Sequence, residues 1–111
     1  MKKIKSIFIG ILLVVSILAV ISPVSAATLE VGPGKAYTTI GAAIGASNNG
    51  DTIIIYPGTY NENIILNKSL TLQGVDKATT KIRGTAGTTN TVSIKSSNVT
   101  LKNLTIYNDQ R

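Results

Sequence analysis

A chain of 111 residues without cysteine or histidine, with 43% apolar residues and few aromatics, has room for one small domain and no disulfide to brace it. Half of its formal charge of +6 lies at one end. Three of the eleven basic residues are Lys2, Lys3 and Lys5, and the rest of the chain sets eight against five acidic residues, a net +3. Those eight are scattered without interleaved aromatics, which argues against a nucleic-acid-binding face.

The basic start is followed by an apolar run from Ile7 to Ile21, then Pro23 and the small-residue junction Val24-Ser25-Ala26. Residues 1–26 therefore read as a secretory signal peptide, with cleavage expected after Ala26. The run of 15 residues falls short of the roughly 20 that span a bilayer. Membrane contact is expected only through this segment before cleavage, and the mature chain is expected to be secreted or held at the cell surface.

Residues 27–31 read as a short strand, ended by the turn Gly32-Pro33-Gly34. A helix is expected next, because Ile40, Ala43, Ile44 and Ser47 share one face and Thr38 or Thr39 can cap it. Gly41 and Gly45 each cost about 1 kcal/mol relative to alanine, so packing must hold this helix in place. Asn48-Asn49-Gly50-Asp51 ends it with residues that tolerate left-handed backbone. Strands are then expected over 52–56, 63–66, 69–73, 81–83, 92–95, 99–101 and 104–107, and Pro57-Gly58 suits a type II turn.

Leu70 and Leu72, Val92 and Ile94, Val99 and Leu101, and Leu104 and Ile106 each flank a polar residue, so one strand face is buried and the other wet. Short strands without intervening helices predict an all-β chain coiled as a parallel β-helix, a solenoid with a short N-terminal capping α-helix. The domain plan is 1–26 signal peptide, 27–50 strand and capping helix, and 51–111 the first coils, expected to be incomplete. Two registers fit. Leu70-Thr-Leu72 overlays Val92-Ser-Ile94 at an offset of 22, as Ile82 does Leu104. Lys68-Ser-Leu-Thr-Leu72 instead overlays Ser97-Asn-Val-Thr-Leu101 at 29, with a loop excursion over 85–90.

The acidic residues Glu30, Asp51, Glu62, Asp76 and Asp109 are widely spaced, and no catalytic, metal-binding or cofactor-binding residue can be assigned. Asp51 is expected to make a turn hydrogen bond. Arg83 is expected to be solvated surface. Tyr37, Tyr56, Tyr60 and Tyr107 are expected to cover the core with their hydroxyls in water. Three sequons, beginning at Asn67, Asn98 and Asn103, are possible N-glycosylation sites. Asparagine also suits solenoid corners, where it can stack in hydrogen-bonded ladders.

Tyr37-Thr-Thr-Ile-Gly-Ala-Ala-Ile44, Gly50-Asp-Thr-Ile53, Pro57-Gly-Thr-Tyr-Asn-Glu-Asn-Ile64 and Lys68-Ser-Leu-Thr-Leu-Gln-Gly74 together resemble the N-terminal cap of right-handed parallel β-helix proteins of the pectin lyase-like superfamily. Within it, the nearest likeness is to NosD-like and adhesin-like surface proteins of archaea and some bacteria. Ser96 to Asn108 resembles the repeating coil of that group. The resemblance implies a right-handed β-helix and, at Glu62, a structural role. For function it implies an exported, structural or adhesin-like module facing envelope polysaccharide or surface proteins. The alternative is the N-terminal portion of a polysaccharide-active enzyme, of the pectate lyase or pectin methylesterase type, whose active site lies on later coils. A metal-delivery role of the NosD kind finds no histidine, cysteine or mature methionine here. Because Asn108-Asp-Gln-Arg111 provides no covering turn for the last coil, the chain is expected to be the N-terminal part of a longer surface protein.

Overall fold

The structure, a computed structural model, describes residues 25–109, so the expected signal peptide lies outside it except for Ser25 and Ala26. The elements run β1 (Thr28–Val31), α1 (Ile40–Ala46), β2 (Thr52–Ile55), β3 (Gly58–Asn61), β4 (Ile64–Leu66), β5 (Thr71–Gly74), β6 (Thr80–Gly84), β7 (Val92–Ile94), β8 (Thr100–Lys102) and β9 (Thr105–Asn108). The described residues are all-β apart from this one short helix. Isoleucine, valine and threonine dominate the strands, where branching at Cβ suits the extended backbone.

Every pairing is parallel, and three sheets result, in the orders β1-β2-β5-β8, β3-β6-β9 and β4-β7. Parallel neighbours need a long crossover between them. Here two strands placed in the other two sheets supply that crossover, so from β2 to β9 the chain enters the three sheets in rotation.

Inward side chains stack in columns across the paired strands. Leu29, Ile53, Leu72 and Leu101 form one column, and Tyr60, Ile82 and Ile106 another. Ile64 pairs with Val92 and Leu66 with Ile94. Burial is greatest in the middle coils, where Ile53, Ile55, Leu66, Leu72 and Ile82 are sealed, and falls off toward Ile94 and Ile106, which are 54% and 40% exposed. The column of Val31 and Ile55 ends at Gly74, where the Asn103 backbone carbonyl lies on the site a Cβ would fill and Thr80 Cβ is 3.1 Å from it.

Helix α1 packs on β1, β2 and β4 and buries Ile40, Ala43 and Ile44 against the upper end of the core. Thr39 is its N-cap, its hydroxyl accepting from the Ala42 amide at 3.2 Å. The helix ends just before the expected run Asn48 to Asp51. Ser47 closes the helix in an extended conformation, its hydroxyl donating to the Ile44 carbonyl at 2.6 Å, and of residues 48–51 only Gly50 has a positive φ, 93°.

Strand β3 begins at Gly58, where the sequence suggested the middle of a turn. Gly-Thr-Tyr-Asn has one apolar residue and no alternation, and its extension follows from pairing with β6, Tyr60 opposite Ile82. The register of sheet one is the longer alternative. Thr71 pairs with Thr100 and Leu72 with Leu101, 29 residues on, while residues 85–91 form the expected excursion. The 22-residue step occurs only between β3 and β6, and Ile82 faces Ile106 rather than Leu104.

Candidate functional site

The densest polar arrangement surrounds α1. Glu62, just after β3, accepts the Ile40 amide at 2.9 Å through Oε2 and the Gly41 amide at 2.9 Å through Oε1. Lys68, just after β4, donates from Nζ to the carbonyls of Ile44 at 2.9 Å, Gly45 at 3.3 Å and Ser47 at 2.7 Å. The carboxylate sits at the positive end of the helix and the ammonium at the negative end, each satisfying backbone groups that a short helix leaves open. Asp51 is buried beneath the same region and accepts from the Ala27 and Asn48 amides, both at 2.8 Å. Those bonds, Asn48 foremost, hold its carboxyl below the ordinary 3.8; burial opposes them and Lys68 adds to them.

The other carboxylates are engaged as well. Glu30 accepts the Tyr56 hydroxyl at 2.9 Å, and Asp76 accepts both the amide and the hydroxyl of Thr79. Asp109 pairs with Arg83 at 2.7 Å, so Arg83 is half-buried and ion-paired rather than solvated surface. Tyr60 departs from expectation too. It is buried, its hydroxyl donates to the Tyr56 carbonyl at 2.7 Å, and burial, with a lesser contribution from Glu62, pushes its pKa up. Lys35 lies 4.0 Å over the Tyr56 ring.

Shallow recesses open on the surface of the described residues. One, of about 500 Å³, lies among Pro33, Thr38, Pro57, Thr59 and Tyr60. Another, of about 360 Å³, lies between Asn63, Ile65 and the excursion residues Thr88 to Asn90. Neither brings together groups able to act as acid and base. Among the described residues, no group of three or more histidine, cysteine, aspartate or glutamate residues could hold a metal ion.

The sequon asparagines are all exposed and occupy two corners. Asn67 follows β4 and Asn98 precedes β8, at the passage from the third sheet to the first in successive coils; Asn103 lies between β8 and β9. Asn98 and Asn103 are left-handed, with φ of 56° and 55°, a conformation asparagine adopts more readily than most residues. No asparagine ladder forms among the described residues. Asn63 instead reaches across one coil, donating to the Thr85 hydroxyl at 2.6 Å and accepting the Thr85 amide at 3.1 Å.

The helix clamp is the feature the sequence did not reveal. A Glu six residues before a Lys-Ser pair, flanking a three-residue strand, has no signature of its own; only the approach of α1 gives the two charges a shared purpose.

No protein-family profile matches the chain. A cell surface glycoprotein of Methanothermus fervidus is 38% identical over 74 residues. The match covers 65% of this chain and 12% of that protein's length.

Proposed function

We propose that the three sheets wind as a right-handed parallel β-helix of the pectin lyase-like kind, and that the chain is a non-catalytic module exported to the cell surface. The strand rotation supports the first part, since parallel crossovers are right-handed in nearly all cases. The second part is carried by one observation: each of the five Asp and Glu side chains makes a hydrogen bond or ion pair within the fold. Acid–base or metal-assisted attack on a polysaccharide uses carboxylates presented to the substrate, commonly in pairs, whereas these serve contacts within the fold. The likeness to the Methanothermus surface glycoprotein, though short, favours the envelope as the setting. The module's exposed sheet faces are its contact surface, toward envelope polysaccharide or neighbouring surface proteins.

The test is fractionation of a secreting host followed by intact mass of the recovered chain. Recovery outside the membrane with Ala27 as the first residue is expected. Retention inside the cell with residues 1–26 intact would refute export.

A further inference from the structure

The three sequons, one ending in serine and two in threonine, are unequal as folded sites. N-linked transfer needs the asparagine amide and the hydroxyl two residues on to be presented together. At Asn67 the hydroxyl partner is Ser69, half-buried, with Oγ 2.8 Å from the Ser97 carbonyl and 3.3 Å from Ser96 Oγ. At Asn103 it is Thr105, half-buried, with Oγ1 donating to the Lys77 carbonyl at 2.8 Å; the Asn103 backbone is also pinned against Gly74. At Asn98 both ends are open. Asn98 and Thr100 are exposed, and neither side chain makes a hydrogen bond among the described residues. The left-handed backbone at Asn98 turns the corner there without using the amide, whereas Asn49 and Asn63, which lie outside sequons, spend theirs on neighbouring coils.

We infer that Asn98 is the N-glycosylation site of the folded protein. The Asn98 amide nitrogen attacks the anomeric carbon of an oligosaccharide carried on a polyprenyl phosphate. A C–N bond forms as the C–O bond to phosphate breaks; the lipid phosphate leaves with that electron pair, and the amide gives up one proton. The glycan then projects from the corner shared with Asn67, beside the last described strands of sheet one. In the cell this rests on the export proposed above, so the test is made on the purified chain, where export plays no part.

The folded 111-residue chain and short synthetic peptides centred on each asparagine are incubated with a purified oligosaccharyltransferase and its lipid-linked donor, and occupancy is followed by glycopeptide mass. In the folded chain Asn98 should be modified at least about fivefold faster than Asn67 or Asn103, the factor that freeing one hydrogen-bonded hydroxyl implies. Among the peptides the preference should collapse, and Asn98→Gln or Thr100→Val should remove the fast phase. Equal rates at the three sites in the folded chain, or an unmodified Asn98 in the folded chain while its peptide reacts, would overturn the assignment.

Discussion

Glu62 and Lys68 flank the three-residue strand β4 and hold opposite ends of the same helix, the carboxylate on the amides of Ile40 and Gly41 and the ammonium on the carbonyls of Ile44, Gly45 and Ser47. A seven-residue helix with two glycines has too few internal bonds to persist alone, so its attachment is tertiary. Glu62→Ala should destabilise the fold by about 1–2 kcal/mol, the range of a lost N-cap, and Lys68→Met by about 1 kcal/mol. Urea denaturation gives both values. If the two residues hold one docked element, the double variant should lose less than the sum of the single losses. Strict additivity would mean the helix ends are held independently.

Gly74 and Gly45 should respond to alanine in opposite directions. A methyl at Gly74 meets the Asn103 carbonyl, a backbone atom that cannot move without shifting the β8–β9 corner, so Gly74→Ala should cost about 1–3 kcal/mol or more. Gly45 lies in the exposed face of α1 with open space around the new atom, so Gly45→Ala should stabilise by about 0.5–1 kcal/mol. Thermal midpoints moving in the same direction would contradict this reading of the two sites.

Asp51 makes stability depend on acid pH. Its folded pKa lies below the ordinary 3.8 because the Asn48 and Ala27 amides donate to the ionised form. The sign follows from linkage: the contribution is complete above the ordinary value and is lost as pH falls through it toward the folded value. Urea midpoints measured from neutral pH down to about pH 2 should therefore decline at the acid end. In Asp51→Asn the decline should be shallower, although the variant is less stable at neutral pH because its amide replaces one acceptor oxygen with a donor facing donors. An unchanged acid slope would remove Asp51 as its source.

Much of the architecture was legible before the structure. Thr52 to Ile55 and Ile64 to Leu66 are β-branched or alternating runs, and Ile40, Ala43 and Ile44 mark a helix face, because in each case local pattern and burial agree. Strand β3 was not legible, since Gly58 is extended by its pairing partner rather than by its own preference. The register stayed ambiguous because the coils differ in length: the excursion over 85–91 falls within the steps from β4 to β7 and from β5 to β8, 28 and 29 residues, whereas the step from β3 to β6 is 22. The engagement of Glu62, Lys68 and Arg83 was hidden for a related reason. Their partners lie 21 to 26 residues away, at distances set by coil length and not by any local motif.

The stacked columns predict a gradient of mutational cost along the chain. Leu72 is sealed between Ile53 and Leu101, so Leu72→Ala opens a cavity and should cost about 2–5 kcal/mol. Ile106 stands beside Ile82 in its column but is 40% exposed, and Ile106→Ala should cost about 1 kcal/mol or less. The same exposure has a second consequence. Among the described strands β7, β8 and β9 each pair on one side, and Ile94, Ile106 and Tyr107 lie exposed on them, the conditions under which strand edges recruit other strands. Ile94→Lys with Ile106→Lys should reduce self-association of the purified chain, since lysine at an edge disfavours pairing. Sedimentation velocity across a concentration series reads this directly. Association that persists unchanged in the double-lysine variant would locate the contact elsewhere on the molecule and remove the edge of β7, β8 and β9 as its cause.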